Sequence, residues 1–379
     1  MKILVFAGYY LPGFKGGGPI KTIKNLFEQV GDEITFKLIT GDRDLGDNAA
    51  YTSVSSGEWI QVGNALVLYI RPGIKGYAQM ARELWAKEYD LVYLNSFFSP
   101  RFSVFPLLLA KVLRQKVVIG PRGEFSEGAL SLKSFKKRWF IKIFKLLGFH
   151  RDTVFQVSTD FEAGDVRRVV GSGVDVQIAE NIGAREFAEE IETRAYRVLN
   201  AVFVSRISPK KNLLAALEML QKVQQPLNFH VYGPVEDRDY WRECEKAIAT
   251  LPPHVEVQRK GTLSPDEVVK TLEKYDVFFF PTKGENYGHV IAEALCAGLP
   301  ILIANTTPWR NLHNLGIGWD LPLDNFDAFS AKLDELATMP FGEYLRMRRH
   351  VLNWAKGKFS QNDTIEANIA LFKYAYGKK

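Results

Sequence analysis

Asp276-Val277-Phe278-Phe279-Phe280-Pro281-Thr282-Lys283-Gly284-Glu285-Asn286-Tyr287-Gly288-His289-Val290-Ile291-Ala292-Glu293-Ala294-Leu295 decides how this chain is read. The first five residues are an apolar run rich in β-formers, as in a strand covered on both faces. Pro281, Gly284 and Gly288 interrupt it, and an apolar helical stretch follows from His289 to Cys296. A second apolar run, Pro300-Ile301-Leu302-Ile303-Ala304, comes next. Strand, glycine turn, helix and strand make a unit of a parallel sheet, and in such sheets ligands sit where strands end and helices begin. Glu285 falls in the turn and Glu293 in the first turns of the helix. The two carboxylates are placed to grip two ends of one hydroxyl-rich ligand, because a carboxylate accepts strong hydrogen bonds from hydroxyls.

Glu285-x7-Glu293 followed by Ala294-Leu295-Cys296-Ala297-Gly298-Leu299-Pro300 resembles the donor-sugar motif of the family 4 glycosyltransferases. The resemblance implies the two-domain GT-B fold, with Glu285 beside the donor sugar ring and Glu293 on the ribose of a sugar nucleotide. Asn286, Tyr287, Gly288 and His289 then border the donor, with the His289 amide toward its phosphates. Phe203-Val204-Ser205-Arg206-Ile207-Ser208-Pro209-Lys210-Lys211-Asn212 is similar to the family's Gly-Arg…Lys-Gly element, with Arg206 and Lys211 in the matching places. Two cations beside a helix start suit a diphosphate. The implied role of Arg206 and Lys211 is to neutralise charge on the departing nucleoside diphosphate, an electrostatic device that serves without a metal.

In the first half, Gly13-Phe14-Lys15-Gly16-Gly17-Gly18-Pro19-Ile20-Lys21-Thr22 joins a first strand to a first helix. Consecutive glycines admit close approach by a ligand, and Pro19 suits the first helical turn. Lys21 and Thr22 come too late after the glycines for a P-loop. By resemblance Gly17 and Gly18 border the donor phosphates, with Lys21 a further candidate. Asp42, after the second strand, is the position a dinucleotide enzyme would use for a ribose, and that reading is a rival. Asn95 stands where many members of the family carry a histidine that contacts the donor sugar; an amide donates and accepts hydrogen bonds but does not titrate, so no general base is assigned. Arg122 and Glu124, in Pro121-Arg122-Gly123-Glu124, are candidates for an acceptor phosphate and an acceptor hydroxyl, or equally for an internal ion-pair network.

Along 379 residues, alternating strand and helix signals describe an α/β chain of two doubly wound, Rossmann-like domains facing a cleft. Strands are expected at 2–7, 35–40, 66–70, 90–94, 117–119 and 154–157, then at 201–205, 229–232, 255–257, 277–281 and 301–303. The polar stretch 181–194 reads as the linker. The domains are placed at 1–183 and 195–355, and by resemblance the last helix, about 361–379, packs back on the first. Two cysteines and six scattered histidines make neither a disulfide framework nor a metal spacing. No cofactor or metal is expected beyond a UDP- or GDP-linked sugar as substrate. No apolar stretch reaches the length of a membrane span, so a soluble or peripheral protein is expected; the two cysteines suit a reducing compartment, and a cytoplasmic location is expected.

The net charge is +6, and no nucleic-acid module accompanies it. The charge concentrates in Lys133-Ser134-Phe135-Lys136-Lys137-Arg138-Trp139-Phe140-Ile141-Lys142-Ile143-Phe144-Lys145-Leu146-Leu147. On a helical wheel Phe135, Trp139, Ile143, Leu146 and Leu147 share one side and Lys137, Arg138, Lys142 and Lys145 another, while Lys136 and Ile141 break the pattern. Two readings stand: peripheral docking on the anionic inner face of the plasma membrane, or an apolar face packed into the first domain with solvated lysines. The function implied by resemblance is a retaining transfer of a sugar to a hydroxyl of a glycan or lipid-linked glycan, in surface polysaccharide or glycoconjugate synthesis. Its rivals are a nucleotide-sugar epimerase, a non-catalytic partner of a membrane glycan-assembly complex and, least supported, a basic nucleic-acid binder.

Overall fold

The computed structural model describes residues 1–31, 33–131, 134–183, 185–191 and 198–378. Lys133 and the 192–197 stretch, including Arg194 and the expected domain start at 195, lie outside them. The chain divides into two units, one of Met1–Ile182 with Asn362–Lys379, the other of Gly183–Gln361.

The first unit is built on eight strands: β1 (Lys2–Phe6), β2 (Thr35–Gly41), β3 (Trp59–Val62), β4 (Ala65–Ile70), β5 (Leu91–Leu94), β6 (Val117–Ile119), β7 (Thr153–Val157) and β8 (Asp175–Ile178). Their order is β3-β4-β2-β1-β5-β6-β7-β8, parallel throughout except that β3 runs antiparallel to β4. The run Ile3-Leu4-Val5-Phe6 is continuous because both faces are covered: Ile3 and Val5 join one core, Leu4 and Phe6 the other. Strand order reverses between β1 and β5, so the crevice outside their carboxyl ends is this unit's ligand-binding position. The helices are α1 (Gly18–Val30), α2 (Ile74–Trp85), α3 (Phe105–Val112), α4 (Glu127–Ser131), α5 (Ser134–Leu146) and α6 (Asp160–Val170).

The second unit has β9 (Leu199–Val204), α7 (Leu213–Leu220), β10 (Leu227–Tyr232), α8 (Arg238–Ile248), β11 (Val255–Gly261), α9 (Val268–Leu272), β12 (Val277–Phe280), α10 (His289–Cys296), β13 (Ile301–Ala304), β14 (Gly318–Leu321), α11 (Phe326–Thr338) and α12 (Phe341–Ser360). Its all-parallel sheet runs β11-β10-β9-β12-β13-β14, with the reversal between β9 and β12. Arg348 of α12 is buried and donates to the carbonyls of Gly298, Ala297, Tyr275 and Glu273 at 2.9–3.3 Å. A fixed cation thus caps the carboxyl ends of α9 and α10. The last helix, α13 (Asp363–Gly377), returns to the first unit, where Ile369, Leu371 and Phe372 join the core containing Phe27 and Phe36.

The strands the sequence reading lacks lie at the sheet edges: β3, β8 and β14. β3 and β8 have half-exposed side chains along most of their length, so neither carries a buried strand's apolar run. The expected linker also begins later than its polarity suggests: Ile182 is buried and accepts from Asn25 Nδ2 at 2.9 Å.

α5 resolves the helical-wheel ambiguity. Phe140, Ile141 and Phe144 pack into the core of the first unit against Phe97 and Phe155. The five apolar residues on the wheel's apolar side, Phe135, Trp139, Ile143, Leu146 and Leu147, are exposed, so the reading that packs that side into the first domain does not hold. Lys137, expected on the solvated side, is the correction: its ammonium donates to the Ala129 carbonyl at 2.5 Å and lies 5.1 Å from the Phe98 ring centre, facing inward.

Candidate active site

Three turns at the carboxyl ends of β9, β12 and β13 are laced together in the second unit. Asn212 takes a left-handed conformation, φ 64°, at the start of α7 and donates to the Pro281 carbonyl at 2.9 Å; asparagine is among the side chains that tolerate this region. The Lys283 amide and the Thr282 hydroxyl both donate to the Lys210 carbonyl, at 3.0 and 3.2 Å. Thr306 Oγ1 donates to the Thr282 carbonyl at 2.6 Å. These bonds use backbone and short polar groups, which leaves the long charged side chains to one another.

Lys211 Nζ donates to Glu285 Oε1 at 2.5 Å across 74 residues of sequence, with both side chains largely buried. Arg206 donates to Glu236 Oε1 at 2.9 Å in an exposed pair. Lys210 belongs to the same cluster: desolvation by surrounding protein, with Lys211 and Arg206 repelling and Glu285 attracting, holds its ammonium below the ordinary lysine value. Three cations therefore stand against two carboxylates at the switch point between β9 and β12, an electropositive turn that favours a doubly charged phosphate group. The sequence reading missed Lys210, although the Lys-Lys doublet signals it, and Glu236, whose turn after β10 reaches Arg206 only through the fold. Gly233 has a similar standing. At φ 140° it lies so close to Ser205 that a Cβ would overlap the Ser205 carbonyl, so the approach of these two turns requires glycine.

Gly288, φ 83°, makes the left-handed corner from which α10 starts and, as its N-cap, supplies no side-chain cap. Trp309 Nε1 donates to the Tyr287 carbonyl at 2.6 Å, and the Tyr287 ring lies 4.9 Å from His289 and 5.8 Å from Trp309. Aromatic packing thus fixes the corner, and the positive end of α10 faces out of it. Asn286 is half-buried in this corner and His289 is buried at its end. Glu293 is buried one turn further along α10, at 6% exposure. Glu285 and Glu293 thus come from the turn and the helix, as the spacing implies. Among the described residues no group of three His, Cys, Asp or Glu side chains is arranged as metal ligands.

In the first unit, Gly17 takes φ 66° at the start of α1, followed by Gly18. Asp44 ties down the preceding loop by accepting from the Phe14 and Lys15 amides at 2.8 and 3.1 Å. Asp42 is buried and accepts from Arg43 and Ser56 at 2.9 and 3.1 Å; its carboxylate is spent on its own loop, which leaves the dinucleotide reading without support here. Asn95, after β5, is buried, and its Oδ1 accepts from Arg122 at 2.8 Å; its Nδ2 has no partner among the described residues. Arg122 also donates to Asn181 Oδ1 at 2.6 Å and to the Tyr93 hydroxyl. Glu124 accepts from Ser96 Oγ at 2.8 Å and from the amides of Phe97 and Phe98 at 2.5 and 3.1 Å. Burial pushes its carboxyl above the ordinary value despite those donors. Both charged side chains of the Pro-Arg-Gly-Glu stretch thus work inward.

Residues 186–353 match the family model described as glycosyl transferases group 1. A 103-residue stretch is 31% identical to the sulfoquinovosyl transferase SQD2 of Arabidopsis thaliana; it amounts to 27% of this chain and 19% of that protein, so the chain matches about a fifth of that relative's length. Among solved structures, Anabaena HepE in complex with UDP and glucose superimposes with a TM-score of 0.71 at 15% identity, covering 99% of each chain. Sucrose-phosphate synthase of Thermosynechococcus elongatus does so with a TM-score of 0.70 at 14% identity, again over 99% of each chain. The chain therefore has the GT-B fold, and the Lys211–Glu285 pair lies inside the stretch that matches the glycosyl transferases group 1 model.

Proposed function

We propose that this protein is a retaining glycosyltransferase of family 4. In this reading it moves a sugar from a UDP- or GDP-linked donor to a hydroxyl of a glycan or lipid-linked glycan, in the cytoplasm and without a metal. The observation that carries the proposal is the direct contact of Lys211 with Glu285 at the β9/β12 switch point. It joins the two sequence elements on which the resemblance rests, inside the stretch that matches the family model. HepE and its UDP and glucose support a nucleotide sugar as the donor.

The chemistry follows from the charges. As the anomeric carbon–oxygen bond breaks, negative charge accumulates on the diphosphate. Arg206 and Lys211, with Lys210 beside them, stabilise it most in the transition state, where it is greatest. The acceptor hydroxyl attacks from the face the diphosphate leaves, and its proton passes to the departing phosphate oxygen, so Asn95 needs no basic group. Glu285, steadied by Lys211, orients the sugar hydroxyls, and Glu293 the ribose hydroxyls. The corner Asn286–His289 borders the donor, and Gly17, Gly18 and Asn95 keep the donor-binding roles that the resemblance implies. The inward bonds of Arg122 and Glu124 assign them to holding the β5 and β6 turns, so any acceptor contact they make is through those turns.

Incubation with UDP- and GDP-sugars and candidate glycan acceptors, with the product's anomeric configuration read by NMR, tests the proposal. A glycosidic product with the donor's configuration is expected. An inverted product overturns retention, and an epimerised donor with no acceptor product overturns transfer.

A further inference from the structure

α5 has two apolar faces, and only one is used by the fold. Phe140, Ile141 and Phe144 point into the core, with Lys137 turned the same way. Phe135, Trp139, Ile143 and Leu146 are 73, 54, 45 and 86% exposed. At about 100° per residue these four fall within roughly 80° of arc on the side away from the core. Arg138, Lys142 and Lys145, all exposed, line one border of that stripe, and exposed Lys136 lines the other. The Phe135 and Trp139 rings meet edge to face at 6.3 Å, and the Lys142 ammonium lies 6.0 Å from the Trp139 ring centre. No residue from Ser134 to Leu146 is acidic.

From this arrangement we infer that α5 is a docking surface for an anionic lipid bilayer. The helix lies flat, its four apolar side chains enter the acyl boundary, and Lys136, Arg138, Lys142 and Lys145 engage lipid phosphates on either side. An apolar stripe bordered by charge of one sign matches that surface in geometry and in charge. A second copy of the chain does not, because pairing two such faces brings cations against cations. No helix among the described residues is long and apolar enough to cross a membrane, so attachment through this face is peripheral. The inference deepens the proposed function by favouring a lipid-linked acceptor and rests on that reading only for this choice. The docking itself is independent of the transfer chemistry.

Co-sedimentation of the full chain with vesicles tests it, using phosphatidylcholine alone and phosphatidylcholine mixed with phosphatidylglycerol, at low and high salt. Binding to the mixed vesicles that weakens with salt is expected. Each of Lys142→Gln and Lys145→Gln lowers partitioning about fivefold, and the double variant about 25-fold. Trp139→Ser with Ile143→Ser lowers it by about tenfold or more. All these variants retain the wild-type melting temperature and nucleotide-sugar affinity, since their side chains point away from the core and lie outside the donor unit. Equal binding to neutral vesicles, no binding, or unchanged partitioning in the variants overturns the inference. So does self-association abolished by the same substitutions, which assigns the face to a second copy. Transfer to a soluble acceptor without vesicle binding overturns docking and leaves the transferase reading intact; vesicle binding without transfer does the reverse.

Discussion

Both units place charged residues just beyond the strands that flank their switch points, and they use them in opposite ways. In the second unit Lys210, Lys211, Arg206 and Glu285 neutralise one another imperfectly, with an excess of positive charge and an exposed Arg206–Glu236 pair. In the first, Arg122 is shared among Asn181, Tyr93 and Asn95, and Glu124 is filled by one hydroxyl and two amides. A charged group whose hydrogen-bonding capacity is taken up by its own fold holds a turn in place. One whose partner is another charge at a partly open corner can exchange that partner for a ligand.

This contrast predicts that substitutions in the second unit cost function and those in the first cost stability. Arg206→Ala is the strongest case. Turnover should fall by about 10²–10³, as on loss of an oxyanion donor, while the melting temperature stays put because an exposed ion pair is worth ~0–1 kcal/mol; wild-type turnover would break the assignment. Arg122→Met, measured by urea unfolding, should remove about 2–4 kcal/mol by stranding Asn95, Tyr93 and Asn181. A fully stable variant with impaired transfer would instead make Arg122 a ligand-binding residue. Gly233→Ala sharpens the comparison from the other side, as a second-unit position that should lose both. Forcing Ser205 away from the β10 turn costs about 1–3 kcal/mol and displaces Arg206, so unchanged kinetics would show that the spacing of these turns is immaterial.

The smallest expected effect is one of pH. With its native carboxyl raised by burial, Glu124 binds its proton more readily folded than unfolded. Its contribution therefore favours the fold at low pH and is lost as pH rises from the ordinary 4.5 through the raised native value. Comparing the pH dependence of unfolding free energy in wild type and Glu124→Gln isolates this contribution; identical slopes would place the carboxyl in an ordinary environment.

The turn between β12 and α10 was legible in sequence because backbone geometry dictates its residue types. Val277–Phe280 is apolar without alternation since both sheet faces are covered, and Gly288 stands where a left-handed corner is needed. Arg206 and Lys211 could be read from their place beyond β9. Legibility failed where a residue's meaning depends on distant chain. Glu236 meets Arg206 from another strand's turn, and Arg348 reaches carbonyls some 50 residues or more away. Nothing in Pro121-Arg122-Gly123-Glu124 tells that its charges face inward. In α5 the wheel found an apolar stripe but not that a second one, through Phe140 and Phe144, takes the core. Edge strands β3 and β8 escaped because half-exposed strands lack the buried pattern.

If acids and cations of the second unit grip one nucleotide sugar, calorimetric titration will read that grip as an affinity. A panel of UDP- and GDP-sugars should yield at least one that binds the wild-type chain. The same compound should bind Glu293→Ala about 10–150-fold more weakly, the loss of one charge-assisted hydrogen bond of ~1.5–3 kcal/mol. Binding of no nucleotide sugar, or equal affinity in a Glu293→Ala variant that melts like the wild type, would contradict it.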